Sequence, residues 1–315
     1  MRRALTTPAI AALAVLPLAA CGGTGTQEED SGGGNAGGEF PVTVTDARGE
    51  LDIDERPERI VSLSPTLTET LFAVGAGDQV VAADEHSNYP EEAPDTDLSG
   101  FTPNVEAITE HDPDLVILGR DAQDSAGQLE DVNIPVFVAP AAETLDDAYD
   151  QVRTVGKATG HADKADTVAS GMESDIDDTI AETTDAIGDT DLTYYHELDQ
   201  EMYSVTSDTF IGQVYSEFGL DNVADAADDT AGGYPQLSAE YVVEQNPDLV
   251  FLGYSGEDAV SEVKQRPAFD TVTAVGNDDI TQLDPDISSR WGPRVTELAD
   301  SVSESVIAAA DAEEE

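Results

Sequence analysis

Side chains that could act as nucleophiles or metal ligands are scarce in this chain of 315 residues. It has a single cysteine, Cys21, and four histidines. It has no glycine-rich phosphate loop, no strained nucleophile turn and no Cys–His pair, so the sequence does not favour an enzyme. A site for bare zinc or manganese needs three or four converging histidines or carboxylates. A receptor for free metal ions therefore stays only as an alternative.

Three of the histidines can be placed by the elements around them. His111 and His161 stand at the ends of predicted helices, which is typical of surface histidines. His196 ends a predicted strand and would face a crevice. There it could coordinate the axial position of a bound metal chelate, or it could be a buried core residue.

The charge of the chain excludes one class of partner. Its formal net charge is −54, with 13 lysines and arginines, and phosphate binding needs basic patches, so no nucleic acid is expected. The acids are spread along the whole chain, which indicates a solvated surface suited to a saline or alkaline habitat. Calcium binding is the alternative, but Asp52-Ile-Asp54 and Asp284-Pro-Asp286 lack the spacing of a calcium loop.

The beginning of the chain predicts export. Residues 1–20 combine a basic start with an apolar run too short to span a bilayer, as in a lipoprotein signal peptide. Cys21 follows small residues as in a bacterial lipobox, where the thiol is lipidated; the alternative is an ordinary signal peptide before a chance cysteine. Residues 21–39 are rich in glycine and acids and predict a flexible tether with a reach of about 25 Å.

One helix-to-strand motif occurs twice. Residues 105–119 (VEAITEHDPDLVILG) and 239–253 (AEYVVEQNPDLVFLG) are identical at eight of fifteen positions. In both copies a proline ends the helix, since it disfavours helical geometry in the residue before it. An apolar strand follows and stops at Gly119 or Gly253. Ligands of open α/β sheets bind beyond the carboxyl ends of such strands.

The remaining periodicity extends this pattern to the whole chain. Strands alternate with helices from residue 42 to 138 and again from 192 to 283, which predicts parallel sheets covered on both faces. Between these rounds, helix 162–187 carries an apolar stripe at Val168, Met172, Ile176 and Ile180 and is about 39 Å long. The predicted fold is α/β, with two Rossmann-like lobes joined by a long rigid backbone helix. The predicted divisions are an N-terminal lobe 40–160, the backbone helix 161–188, a C-terminal lobe 189–310 and an acidic tail 311–315.

Helix starts are predicted from caps. The first helix of the N-terminal lobe begins either with Ser64 as cap and Pro65 at the first helical position, or with a capping box between Thr66 and Glu69. Asn104 is a cap for the helix of the first repeat. The last helix, 293–308, should bury Val295, Leu298, Val302 and Val306.

From about residue 59 to 306, the chain resembles the substrate-binding proteins of ABC importers for cobalamin and ferric siderophores. These are bilobal receptors with a helical backbone. The motifs that carry the resemblance occur in family order: Arg59-Ile-Val-Ser-Leu-Ser-Pro65 followed by Glu69, Tyr89-Pro90, Asn104-Val-Glu106, Pro113-Asp-Leu-Val116, Pro247-Asp-Leu-Val250 and Gly292-Pro-Arg294.

The resemblance implies a place and a partner. The protein would be extracytoplasmic, monomeric and lipid-anchored to the cell membrane through Cys21. It would deliver its ligand to an ABC permease dimer with ATPase subunits. Glu106 and Glu240, one in each lobe, match the glutamates that family members present to arginines of the permease. The alternative is that both are merely favourable acids in the first turn of a helix.

The resemblance also implies a ligand site. In cobalamin receptors aromatic side chains grip the corrin and an Asp-x-x-x-Arg pair supplies polar contacts. The chelate is cargo, so no resident cofactor and no protein metal site are expected. The corresponding positions here are His86, Tyr89, Phe101, Tyr203, Tyr234, Asp286, Arg290 and Trp291.

Departures from the family pattern leave the cargo open. Phe101, Tyr203 and Tyr234 differ from the aromatic residues of cobalamin receptors, and His86 replaces an aromatic residue. A ferric siderophore or haem is therefore the alternative cargo, with Arg290 facing an anionic chelate or a propionate. Each aromatic residue could instead serve packing, and Arg290 could instead form a salt bridge with Asp286.

Overall fold

The computed structural model describes residues 40–188, 190–227 and 231–313. The predicted signal peptide 1–20 and tether 21–39, with Cys21, lie outside the described residues. The strands are β1 Val42–Asp46, β2 Gly49–Ile53, β3 Ile60–Leu63, β4 Val80–Ala83, β5 Leu115–Leu118, β6 Val136–Val138, β7 Thr193–Glu197, β8 Asp221–Asn222, β9 Leu249–Leu252 and β10 Ile280–Gln282. The helices are α1 Pro65–Ala73, α2 Val105–Thr109, α3 Ser125–Glu130, α4 Leu145–Thr159, α5 Ala162–Ile187, α6 Phe210–Glu217, α7 Ala239–Gln245, α8 Ala259–Lys264, α9 Thr273–Asn277, α10 Pro285–Ser288 and α11 Val295–Glu313.

Two four-stranded parallel sheets form the two lobes. Their strand orders are β4-β3-β5-β6 and β10-β9-β7-β8, and an antiparallel hairpin, β1-β2, precedes the first. The orders are equivalent when β3 is matched to β7 and β5 to β9. All residues of β3, β5 and β9 are buried, as expected for parallel strands covered on both faces. The predicted fold class is confirmed.

The repeated motif forms the same unit in each lobe, α2–β5 and α7–β9. The residues before the two prolines, Asp112 and Asn246, have φ of 47° and 52°, so in both copies a left-handed residue directly precedes the proline. The next aspartate joins two strands. Asp114 accepts two backbone N–H bonds of 2.8 and 2.9 Å from the segment entering β3. Asp248 accepts from the N–H and hydroxyl of Thr193, the first residue of β7, at 2.9 and 2.7 Å.

The backbone helix α5 has the predicted bounds and packs against α4 and α11. It buries Met172 and Ile176, while Val168 and Ile180 are partly buried. One apolar cluster runs from the N-terminal sheet across α4, α5 and α11 to strands β7 and β9. The outer face of each sheet has a separate cluster. The lobes therefore share one core on their helical side, and this core opposes relative motion because interiors are close-packed.

Some ends of elements differ from the sequence prediction. Helix α1 begins at Pro65 with Ser64 at the N-cap position, and the Ser64 side chain makes no capping bond. A capping box with Glu69 is wrong, because the Glu69 carboxylate binds two arginines instead. Helix α11 continues to Glu313, so residues 311–313 prolong a helix rather than begin a tail. Within the described ranges, no helix is long and apolar enough to cross a membrane.

Candidate functional site

A cavity of about 520 Å³ lies at the carboxyl ends of strands β3, β4 and β5. Residues 63–66, Asp84 and Gly119 follow these three strands and line it. The opposite wall comes from the segment that joins α10 to α11, with Arg290 and Trp291. Both lobes therefore contribute to the cavity, at the place where open α/β sheets bind ligands.

Two glycines keep the N-terminal wall of the cavity thin. A Cβ atom on Gly100 would lie 2.5 Å from the carbonyl oxygen of Leu63, and one on Gly119 would lie 3.1 Å from Cβ and Oγ of Ser64. A side chain at either position would force the wall to shift. Close packing therefore explains why the first repeat ends in a glycine, since β5 and the turn after β3 approach closely there.

Five of the eight predicted ligand residues line this cavity: His86, Phe101, Asp286, Arg290 and Trp291. Phe101 is 61% exposed and presents its ring to the open space. The His86 ring stands nearly perpendicular to it, with centroids 5.9 Å apart. The indole of Trp291 donates to Gln151 at 3.1 Å and packs edge-on to Phe210. Flat, exposed aromatic walls of this kind suit a bulky planar ligand.

The other three predicted residues, Tyr89, Tyr203 and Tyr234, are not among the residues that line this cavity. They are 46%, 36% and 47% exposed. The Tyr89 ring is covered by the guanidinium of Arg294, whose central carbon lies 4.3 Å from the ring centroid. Tyr203 pairs with Gln236 through an isolated antiparallel bridge, beside the segment that carries Tyr234. A single cage of all the predicted aromatic residues is thus not formed.

Arg290 is almost completely engaged by the protein. Its Nη1 donates to Glu69 at 2.6 Å and to Asn88 at 3.0 Å. Its Nη2 donates to Asp286 at 2.6 Å and to the carbonyl of His86 at 3.2 Å. The salt bridge with Asp286 is therefore present, as in the alternative interpretation of this pair. The expectation that Arg290 is free to face an anionic chelate is not met, because both terminal nitrogens already have acceptors.

Glu69 binds Arg290 of the cavity wall; sequence analysis placed Glu69 in the family motif and, as one of two alternatives, in a capping box. It is 3% exposed, and its carboxylate accepts from Arg290 and also from Arg294 at 2.7 and 3.0 Å. The hydrogen bonds from Arg294 to Glu69 raise the pKa of this arginine. Glu69 lies on α1 and both arginines lie near α11, so this buried cluster joins the lobes at the edge of the cavity. Its presence in the family motif with Gly292-Pro-Arg294 was the available sequence indication.

Asp84 is the other buried acid of the cavity wall. Its carboxylate accepts from the backbone N–H of His86 at 2.9 Å and from the Ser87 hydroxyl at 2.8 Å. Burial raises the pKa of Asp84, and these two hydrogen bonds oppose that shift. Its hydrogen bonds hold the loop that carries His86 against the end of β4.

His196 does not face the crevice. It is fully buried, and its Nδ1 lies 2.8 Å from the hydroxyl of Tyr215. Its Nε2 has no hydrogen-bond partner among the described residues. Burial lowers the pKa of His196 to about 3. The interpretation of His196 as an axial metal ligand is therefore wrong, and the core alternative holds.

The other two histidines placed by sequence are half-buried. His161 precedes α5 and lies within hydrogen-bond distance of Gln79 and Arg56. Burial and the neighbouring Arg56 lower the pKa of His161. His111 follows α2, as predicted. Within the described part of the chain, no three histidines, cysteines or acids converge as a metal site would require.

Glu106 and Glu240 occupy equivalent positions in the two lobes. Each is the second residue of its helix, α2 or α7, and each is exposed. The helices are capped by Asn104, which accepts from the N–H groups of residues 106 and 107, and by Ser238, which accepts from Tyr241. Neither carboxylate forms an ion pair or hydrogen bond within residues 40–188, 190–227 and 231–313. Both are therefore available to a partner.

Comparison with known proteins agrees with this geometry. A family model described as periplasmic binding protein matches residues 60–287. An uncharacterized ABC transporter substrate-binding lipoprotein, YvrC, of Bacillus subtilis (strain 168) is 31% identical over 93% of this chain and 94% of its own. A cobalamin-binding protein of Halobacterium salinarum (strain R1) is 32% identical over 82% and 72%.

A solved structure has the same fold. The periplasmic vitamin B12-binding protein BtuF of Vibrio cholerae superposes with a TM-score of 0.68 and 25% identity, over 80% of this chain and 98% of its own. The match of the family model covers more than half of the chain, from the start of β3 into α10. The chain therefore belongs to the periplasmic binding protein family, a family of binding proteins rather than of enzymes.

Proposed function

We propose that this protein is the extracytoplasmic substrate-binding component of an ABC importer and that its cargo is a corrinoid held in the inter-lobe cavity. The observation that carries the proposal is the cavity at the carboxyl ends of β3–β5, which takes residues from both lobes and is lined by Phe101, Trp291 and His86. A planar metal chelate fits such a wall because aromatic faces bury its surface with little loss of side-chain entropy. The relatives named for cobalamin or vitamin B12 favour a corrinoid as cargo. The chelate is cargo, and no resident cofactor is proposed.

The proposed function also implies partners for the protein. It delivers the chelate to a permease dimer driven by ATPase subunits, and Glu106 and Glu240 dock on that dimer. It acts as a monomer anchored by a lipid on Cys21, consistent with the name of the relative from Bacillus subtilis. A mature chain whose mass shows no acyl groups on Cys21 would contradict the anchor. A solution mass of two chains would contradict the monomer.

The cargo is tested with the full chain in detergent. The protein is mixed with cyanocobalamin, a ferric hydroxamate, a ferric catecholate or haem, then desalted, and its absorption spectrum is recorded. Affinity is measured by quenching of Trp291, the only tryptophan, which lines the cavity. We expect one equivalent of the corrinoid to be retained. If only haem or only a ferric siderophore is retained, that class is the cargo in place of the corrinoid. If no compound is retained, the proposal that the protein is a chelate receptor is overturned.

A variant and its control locate the site. Phe101→Ala removes the exposed ring from the cavity wall and should weaken binding roughly tenfold or more, since it removes most of an aromatic contact surface. Val132→Ala is the matched control, because Val132 is also an exposed apolar residue and does not line this cavity. Equal affinity of the two variants would show that the cargo binds elsewhere.

A further inference from the structure

One cation in the cavity has no ionic partner among the residues that the structure describes. Of the 13 basic residues, Arg2 and Arg3 lie outside the described residues, which leaves 11. Nine of these 11 use their side chains in hydrogen bonds or ion pairs with the protein. Across the described ranges, only Arg120 and Lys164 do neither. Lys164 is exposed on α5, whereas Arg120 lines the cavity.

Arg120 lies against an aromatic ring. It follows Gly119 at the carboxyl end of β5, and its guanidinium carbon lies 5.0 Å from the centroid of Phe101. A guanidinium that lies over a ring keeps its N–H donors free, because they project in its own plane. Phe101 therefore holds Arg120 at the wall of the cavity and takes none of its hydrogen bonds.

The other charged groups of the cavity are already compensated. Asp286 binds Arg290 and Asn88, both at 2.6 Å, and Asp84 is hydrogen-bonded by its own loop. Asp121, the residue next to Arg120, accepts from the N–H of Ala126 at 3.0 Å in the first turn of α3. None of these acids therefore pairs with Arg120, although the chain has a net charge of −54.

Cargo that fills the cavity removes water from Arg120, and an unpaired charge resists this loss unless the cargo supplies a partner. We propose that Arg120 is a specificity-determining residue that binds an anionic oxygen group, a phosphate or a carboxylate, on the cargo. This rests on the proposed function. Repulsion from the acidic body does not prevent such a contact, since charges farther than about 8–10 Å are largely screened at physiological salt.

The test separates the two sources of the anionic group. Cyanocobalamin carries one phosphodiester, and dicyanocobinamide has the same corrin without it. Haem carries two propionates, and its dimethyl ester carries none. Each pair is titrated by Trp291 quenching against the full-length wild type, Arg120→Gln and Lys164→Gln. Lys164→Gln is the matched control because it removes the other cation that has no partner and changes the net charge by the same amount.

We expect Arg120→Gln to weaken binding of the compound that carries the anionic group roughly 10- to 100-fold, the range of a hydrogen bond to a charged group. Binding of its uncharged analogue should change less than about threefold, and Lys164→Gln should change neither. The phosphate is the partner if only the corrinoid pair responds, and the propionate if only the haem pair does. Equal loss for both members of a pair, or no loss, would overturn the role of Arg120 while leaving the receptor intact.

Two results with the wild-type protein would also test the role of Arg120 and the proposed function. Binding of an uncharged ferric hydroxamate alone would overturn the inference about Arg120 but keep a chelate receptor. A wild type that binds neither pair nor a siderophore would overturn the proposed function and this inference together.

Discussion

His196 is a buried histidine whose environment makes the C-terminal lobe sensitive to acid. Burial lowers its pKa from 6.5 to about 3, so below about pH 6.5 the unfolded chain takes up a proton that the folded chain excludes. The free energy of unfolding therefore falls as the pH falls from about 6.5 towards 3. Between pH 7 and pH 5 the loss from this residue is about 2 kcal/mol.

The prediction is checked by urea unfolding of wild type and His196→Gln at both pH values. Whatever the stability of the variant at pH 7, its additional loss at pH 5 should be about 2 kcal/mol smaller than that of the wild type. His86→Gln removes an exposed imidazole and serves as the control. An identical loss in wild type and His196→Gln would contradict the buried, neutral state.

At the scale of single residues, Asp286 and Arg290 are four apart and form the salt bridge that the sequence offered only as an alternative to ligand binding. Sequence reasoning did not predict that Glu69 binds Arg290, because the two residues are 221 positions apart along the chain. A glutamate three residues after a threonine fits a capping box equally well, and only the folded arrangement of α1 against the segment before α11 distinguishes the two. Arg120 was not singled out from the sequence, because the lack of an ion-pair partner among the described residues can be recognised only in the folded structure.

At the scale of elements, the Glu69 cluster links α1 to the segment that precedes α11. Removing one member of a buried ionic cluster leaves uncompensated charge and costs about 3–5 kcal/mol. Glu69→Gln keeps the shape and removes the charge, which leaves Arg294 without its carboxylate, while Arg290 keeps Asp286. We expect the free energy of unfolding to fall by about this amount, as measured by urea unfolding followed by far-ultraviolet circular dichroism.

Glu304→Gln is the control for this change, since Glu304 is exposed on α11 and surface charges contribute about 0–1 kcal/mol. The two variants have the same net charge, so a general effect of the acidic surface is the same in both. A loss below about 1 kcal/mol for Glu69→Gln would mean that the cluster does not hold α1 and α11 together.

The bounds of a helix or strand could be predicted from the sequence where one periodic face of that element is buried. The bounds of α5 agree with the predicted 162–187, and α7 and β9 both fall within the predicted helix-to-strand motif 239–253. Strand β6 is only Val136–Val138, because pairing with β5 begins at Val136. Where each strand stops depends on its neighbour in the sheet, and one chain's periodicity does not contain that information.

At the scale of the whole molecule, the repeat places one exposed glutamate at the same position in each lobe. The shared core along α4, α5 and α11 opposes relative motion of the lobes, so we expect the separation of Glu106 and Glu240 to stay the same when cargo binds. Two acids at a constant separation suit a permease made of two similar subunits, because the contact of one acid with the permease positions the second acid for its own contact. The pair should therefore act in delivery and not in capture.

Glu106→Ala with Glu240→Ala tests this division. In purified protein, affinity for the cargo should stay within about twofold, because neither residue lines the cavity. In cells that carry the cognate permease and depend on this receptor, uptake should fall at least about tenfold, since two charge-assisted contacts are lost. Glu110→Ala with Glu244→Ala is a matched control, because it removes the other glutamates that the repeat conserves between its two copies, and both are exposed. If the two double variants transport equally well, the repeated glutamates at 106 and 240 serve only the first turns of α2 and α7.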